Sequence, residues 1–315
     1  MKKYLILGGT GFLGRWLISD LLQSGDNKIT IYSRNAVADM DRFAYPRDRV
    51  NAVSGSFGPD TDFLRLVDGC DLVFHLISTT VPGSRNITPC EDISQNVFPT
   101  AKLLDACVAA KVKKFVYFSS GGTVYGPQLG EAPILETAPT NPICSYGIQK
   151  LLNEKMIQLY GADHGLNYLI VRLANPYGPY QNTDGRQGAV AAFTWRILNG
   201  QPITIFGDGE NVRDYIDVRD AIHMVNNILA NSDSNMIYNI GSGVGTSLNR
   251  IVSVVELVTG RRAQIIRSDA RMVDVRSNVL SINRYLSNIS KEHPRSLEAG
   301  IQDLVHYYEK AGIHS

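Results

Sequence analysis

Three glycines, Gly8, Gly11 and Gly14, stand between an apolar run, Tyr4-Leu5-Ile6-Leu7, and a stretch over 12–23 whose apolar residues recur at helical spacing. A strand that enters a helix through glycines brings backbone N–H groups to the helix N-terminus with no Cβ in the way. That arrangement suits the pyrophosphate of a dinucleotide. The spacing here is Gly-x-x-Gly-x-x-Gly, not the commoner Gly-x-Gly-x-x-Gly. The alternation then continues, with strand-like runs at 28–32, 72–76, 114–119 and 167–172 and helical patterns at 95–110 and 146–160. Each of those helical stretches is long enough to cross back over a sheet, so the expectation is an α/β, doubly wound parallel sheet of Rossmann type. After about Gly178 the alternation weakens, and helical stretches remain at 190–199, 218–230 and 248–260. This reads as a nucleotide-binding domain over 1–178, with some later segments returning to it, and a smaller C-terminal lobe, mainly 179–315, that binds the substrate.

Charge narrows the partners. With 31 basic and 30 acidic residues and a formal net charge of +1, no electrostatic excess draws the chain to nucleic acid or to a membrane surface. The cysteines Cys70, Cys90, Cys107 and Cys144 are too widely spaced for a metal pair or a secreted disulfide framework, so reduced thiols in the cytoplasm and no metal are expected. The apolar run after Met1-Lys2-Lys3 breaks at once into glycines, too early for a signal peptide, and no segment has membrane-spanning length.

At the end of the second strand a carboxylate ordinarily binds the ribose hydroxyls of NAD, whereas this chain reads Ile31-Tyr32-Ser33-Arg34. Ser33 can hydrogen-bond the ribose and Arg34 can pair with a 2′-phosphate, which tilts the expectation between NAD and NADP toward NADP. Further along, Ser145-Tyr146-Gly147-Ile148-Gln149-Lys150 puts Tyr146 and Lys150 four residues apart, on one face of a helix. A neighbouring ammonium and the charge of an oxidised nicotinamide both favour a phenolate, so Tyr146 could remove a hydroxyl proton as hydride departs.

On these segments the chain resembles the extended short-chain dehydrogenase/reductases, and within them the UDP-hexose 4-epimerases. The likeness extends through Phe74-His75-Leu76, through 118–126 (Phe-Ser-Ser-Gly-Gly-Thr-Val-Tyr-Gly), through 172–179 (Arg-Leu-Ala-Asn-Pro-Tyr-Gly-Pro), and through Phe206-Gly207-Asp208-Gly209 with Arg213-Asp214-Tyr215. The resemblance implies cofactor contacts at Gly8, Gly11, Phe12, Leu13, Gly14, Ser33, Arg34, Leu76, Tyr146 and Lys150. It departs at Gly121, where the family usually carries a catalytic Ser or Thr. Ser120 and Thr123 flank the gap as candidate replacements, with Thr123 preferred. The acids that a sister dehydratase or decarboxylase would carry in this segment are absent.

For the nucleotide sugar, the resemblance implies Arg213 and Arg271 as phosphate ligands, Asp274 as a uridine-ribose ligand, and Asn175 as a hydrogen-bonding group. Asn278 stands where a bulky tyrosine often borders the hexose, which leaves room for a 2-acetamido sugar. His75 reads as a structural residue beside the cofactor. The implied activity is nucleotide-sugar 4-epimerisation through a transient 4-keto sugar. A 4-keto sugar-nucleotide reductase using NADPH is the nearest alternative, and a non-catalytic nucleotide sensor is a more distant one. A homodimer joined through the helices at 95–110 and 146–160 is a further expectation from the resemblance, although Val97, Leu103, Leu104, Leu151, Leu152 and Met156 on those helices would serve equally as core.

Overall fold

The computed structural model describes all residues except 83–87, 128–129, 131, 184–187, 233–234, 270–274 and 313–315. In chain order the elements begin β1 (Lys2–Leu7), α1 (Phe12–Gln23), β2 (Asn27–Ser33), α2 (Ala36–Arg42), β3 (Val50–Ser54), α3 (Phe63–Val67), β4 (Leu72–His75) and α4 (Pro89–Asp92). A π-helical turn (Ile93–Val97) leads into α5 (Phe98–Ala109), followed by β5 (Lys114–Ser120), α6 (Ser145–His164), β6 (Tyr168–Leu173) and β7 (Asn175–Tyr177). Then come α7 (Ala189–Leu198), β8 (Ile203–Phe206), β9 (Val212–Asp217), α8 (Val218–Asn231), β10 (Met236–Ile240), β11 (Gly245–Ser247) and α9 (Leu248–Thr259). The last are β12 (Ile265–Ser268), β13 (Ser277–Asn278), α10 (Asn283–Asn288) and α11 (Leu297–Lys310).

The first compact unit comprises 1–126, 139–172 and 229–238. Its sheet has seven strands in the order β10-β6-β5-β4-β1-β2-β3, and the β1–β2, β2–β3, β1–β4 and β4–β5 pairs are parallel. Strand order reverses between β1 and β4, and at such a switch point the loops at the carboxyl ends of the strands open a crevice for a dinucleotide. The core strands are continuous apolar runs because both faces are covered. Leu5, Leu7, Val73, Phe115 and Ile170 pack with Leu103, Leu104, Cys107 and Ile157 of the crossover helices. The edge strand β3 escapes the sequence reading, since Val-Asn-Ala-Val-Ser is mostly exposed or half-buried and carries no apolar run.

The second unit comprises 127–138, 173–228 and 239–315. Segment 229–238 therefore groups with the earlier residues, while 127–138 and 173–178 group with the later ones. Here β9 is the organising strand. It pairs in parallel with β7 and β13 and antiparallel with β11. A separate core forms where α7, α9 and α11 pack through Val190, Ile197, Ile251, Val255, Ile301 and Leu304. Among the described residues no helix is long and apolar enough to cross a membrane. All four cysteines are free.

Candidate active site

The glycine loop owes its shape to specific contacts. Gly8 adopts φ +88°, a left-handed conformation that glycine enters without strain, and its N–H reaches Tyr32 O at 2.8 Å. A Cβ on Gly14 would stand 2.4 Å from Gly8 O and 2.5 Å from Gly9 Cα, so α1 can lie this close to the loop only with glycine there. Gly11 is the exposed N-cap of α1. No side chain caps that helix and no acid lies in its first turn, which leaves its N–H groups and positive dipole end for an anion. These residues fit the pyrophosphate of a dinucleotide. Beside the loop, Ser33 Oγ at the end of β2 lies 2.9 Å from Thr10 Oγ1, and Arg34 is exposed. Phe12 and Leu13 open α1 half-buried, and Leu76 follows β4 with its N–H bonded to Leu7 O at 3.0 Å.

Helix α6 carries Tyr146 and Lys150 one turn apart, as their spacing requires. Lys150 is buried, and its Nζ donates to Phe118 O at 2.8 Å while lying 4.8 Å from the Tyr117 ring centre and 5.7 Å from that of Tyr146. Burial pushes the Lys150 ammonium down to about 7, against a smaller upward pull from Glu154. Burial likewise pushes the Tyr146 phenol up to about 12, and a hydrogen bond from Ser120 acts in the opposite direction. The hydroxyl brought to Tyr146 is therefore that of Ser120. Thr123, the preferred candidate from sequence, sits in the turn after β5, and its Oγ1 is buried with no hydrogen-bond partner among the described residues. The turn explains the difference: Thr123 packs beneath Gly147, where a Cβ would meet Thr123 Cβ at 3.2 Å.

His75 is a core residue. It is fully buried among Phe57, Phe115 and Tyr117, its Nε2 lies 3.0 Å from Thr100 Oγ1, and burial drives its pKa down to about 3, so the ring stays neutral.

Two polar clusters around α6 were not marked from sequence. Glu154, 1 % exposed, accepts from Arg172 Nη2 at 2.7 Å and Nε at 3.1 Å and from Ser119 Oγ at 2.5 Å, and Arg172 lies 4.8 Å from the Tyr125 ring centre. A signal did exist. Glu154 extends the Tyr146, Lys150 series by another four residues, and Arg172 interrupts an otherwise apolar strand. In the second cluster, buried Asp92 accepts from Thr80 Oγ1 at 2.8 Å, Asn96 Nδ2 at 3.2 Å and Ser145 Oγ, while Gln149 Nε2 donates to Ser78 Oγ at 3.2 Å. These bonds tie the first turn of α6, and so Tyr146, to the loop after β4. Their long sequence separations left no pattern to find.

In the second unit, β9 gathers three of the residues assigned to the substrate. Arg213 is half-buried opposite Asn278 of β13, and Asn175 of β7 lies opposite Tyr215. Asn278 is buried within a strand instead of lying in a loop, and Asn175 Nδ2 donates to Asp214 O at 2.8 Å, bracing β7 on β9. Asp214, fully buried, accepts from Ser242 N at 2.8 Å, from Ser242 Oγ at 2.7 Å and from the N–H groups of Gly243 and Leu280, which fixes the strands around Arg213. Arg271 and Asp274 lie outside the described residues.

Comparison with known proteins agrees with this geometry. The chain matches the NAD dependent epimerase/dehydratase family over residues 4–241. It is similar to the UDP-glucose 4-epimerase of Thermotoga maritima solved with UDP-glucose, at 30% identity over 98% of this chain and 99% of that one, TM-score 0.89. It is also similar to the UDP-N-acetylglucosamine 4-epimerase of Methanobrevibacter ruminantium, solved with UDP-N-acetylmuramic acid, at 28% identity with the same coverage, TM-score 0.88. A dTDP-4-dehydro-6-deoxyglucose reductase of Escherichia coli is 26% identical over 307 residues, covering 96% of each chain. The family's name carries NAD, not the phosphorylated form that Ser33 and Arg34 favour on charge. With a seven-stranded sheet that reverses at the glycine loop and a Tyr-x-x-x-Lys helix beside it, this chain belongs to the NAD dependent epimerase/dehydratase family.

Proposed function

We propose that the chain is a nucleotide-sugar 4-epimerase acting on a UDP-hexose or UDP-N-acetylhexosamine. The observation that carries this reading is the Ser120, Tyr146, Lys150 group in a family whose similar members include UDP-sugar 4-epimerases. Tyr146 takes the proton of the sugar's 4-hydroxyl, and Ser120 holds the Tyr146 oxygen in line through its hydrogen bond. Lys150, anchored on Phe118 O, supplies positive charge beside the phenol. The bound dinucleotide supplies a reversible acceptor for the C4 hydride. When the 4-keto sugar presents its other face before hydride returns, Tyr146 gives back the proton and C4 is inverted with no net redox change. Arg213 and Arg271 would hold the diphosphate and leave the sugar free to turn, with Asn175 on phosphate or sugar and Asp274 on the uridine ribose.

The test is a panel of UDP-, GDP- and dTDP-sugars incubated with purified protein, with and without NADPH, and read by NMR because epimers share one mass. Inversion at C4 without NADPH consumption is the expected result, and the Asn278→Tyr variant is expected to lose acetamido sugars selectively. Oxidation of one NADPH for each 4-keto sugar reduced, with no epimer formed, would replace this reading with that of a reductase.

The protein is expected to be a homodimer in the cytoplasm, where its free thiols stay reduced. Its helices bear on this differently from the sequence expectation. Val97, Leu103 and Leu104 are buried in their own unit, whereas Phe98, Ile148, Leu152 and Leu159 are exposed, from 39 % for Leu152 to 55 % for Leu159. Apolar side chains on adjacent helix faces favour a second copy as cover. Light scattering should give twice the chain mass, and an Ile148→Lys, Leu152→Lys variant should halve it; a wild-type monomer at working concentration would sink the idea.

A further inference from the structure

We propose that Tyr117 is a positioning residue for the reaction: the face of its ring, set against the Lys150 ammonium, keeps that charge in place beside Tyr146. The proposal deepens the reading of Lys150 given above and rests on it for the effect on turnover, though not for the contact itself.

One strand supplies both supports of the ammonium. Lys150 Nζ donates to Phe118 O at 2.8 Å and lies 4.8 Å from the ring centre of Tyr117, the residue before it on β5. An ammonium has three N–H bonds to satisfy, and among the described residues Phe118 O is the only hydrogen-bond acceptor that takes one. An aromatic face carries partial negative charge and attracts a cation within roughly 6 Å of its centre, so the ring offsets lost hydration where acceptors run out. Water cannot stand in for it, since Lys150 is 3 % exposed and Tyr117 0 %. The ring is itself held. Asn153 Nδ2, from the next turn of α6, donates to Tyr117 Oη at 3.0 Å, and His75, opposite Tyr117 in the β4–β5 register, packs with its ring centre 5.4 Å away.

The other titratable groups around Lys150 do not take over this task. On α6, Glu154 favours the charged lysine but is committed to Arg172 of β6 and Ser119 of β5, and burial keeps the Tyr146 phenol neutral. On β4, His75 is neutral, with burial and the Lys150 charge both acting to keep it so. Asp92 of α4 is bound by Thr80, Asn96 and Ser145. Burial brings Lys150 down to about 7. A modest change in its surroundings therefore decides whether it is charged at neutral pH.

The test is an NMR titration of the full chain isotope-labelled at lysine Cε, with the Lys150 signal assigned by its loss in Lys150→Arg. In Tyr117→Leu the ammonium is expected to lose its proton at a pH lower by about 0.5–1.5 than in the wild type. The sign follows from what is removed. Without the ring the charged form is less favoured, so Lys150 holds its proton only below a lower pH, and the basic limb of kcat moves down with it. Tyr117→Phe keeps the ring and should titrate as the wild type does. Ring fluorination of that phenylalanine withdraws the negative face at nearly the same shape, so it should move the titration in the same direction as Tyr117→Leu even where the leucine variant folds poorly. Lys150 titrating at one pH in all of these proteins, or Tyr117→Phe shifting as far as Tyr117→Leu, would overturn the proposal. Because no sugar enters the titration, its failure leaves the epimerase reading standing, and failure of the sugar panel leaves the titration to decide the contact.

Discussion

Replacing Tyr146 by Phe is expected to lower C4 epimerisation by roughly 10²–10⁴-fold, the span that a positioned acid/base group contributes. The ring stays in place and only the phenolic oxygen leaves, so the loss appears in kcat while dinucleotide binding at the glycine loop persists. Burial, against the opposing hydrogen bond from Ser120, holds the Tyr146 phenol at about 12, well above neutral pH. The ground state is therefore a neutral phenol, and the base appears only when positive charge gathers beside it. Lys150, held on Phe118 O and pushed down to about 7, sits close to the point at which it gives up its own charge. Ser120→Ala removes the hydroxyl that holds the phenol and should cost a smaller factor, on the order of tenfold, whereas Thr123→Val should be close to silent because that hydroxyl touches neither group. The check is turnover and dinucleotide affinity measured on the same preparations. Full activity in Tyr146→Phe would remove the tyrosine from the chemistry, and a Thr123→Val loss larger than that of Ser120→Ala would return the second hydroxyl to the turn.

Arg172→Met is expected to destabilise the fold by about 3–5 kcal/mol, because it strands the Glu154 carboxylate inside the protein with only Ser119 as a partner. Both members of the pair are almost fully buried, at 4 % and 1 % side-chain exposure, so solvent cannot take over the lost contact. Replacing both residues by apolar ones of similar volume should restore most of that loss, since an ion pair removed whole takes its desolvation cost with it. Stability and activity should then separate. Glu154 is the carboxylate that pulls Lys150 upward against burial. Without it the lysine loses its proton more easily, the phenol loses its positive neighbour, and turnover at neutral pH should remain low in a well-folded double variant. Urea denaturation measures the first effect and the pH dependence of kcat the second. A double variant as unstable as the single one would show that Arg172 acts through packing on Tyr125 instead of through charge.

Local pattern made much of this protein legible. The glycine spacing, the apolar runs of β1, β2, β4, β5 and β6 and the four-residue interval from Tyr146 to Lys150 each depend on neighbours in the chain. Helix α1 spans Phe12–Gln23 as its periodicity indicates, and α6 exceeds its expected range by one residue at the start and four at the end. The glycine loop and the Tyr146, Lys150 pair follow from that local information, because a parallel sheet with crossover helices has few ways to place them. What lay outside the pattern was long-range. The hydroxyl on Tyr146 is that of Ser120 because of how the turn after β5 meets Gly147. The Glu154 and Arg172 charges are tolerable only because an 18-residue separation closes into one buried pair. The grouping of Asn175, Arg213 and Asn278 depends on strands of three separate segments meeting at β9. Sequence determines which groups a helix face or strand end presents, since backbone geometry repeats every few residues. Which buried polar groups satisfy one another is decided only in the tertiary structure, because desolvation makes each group's cost depend on partners far along the chain.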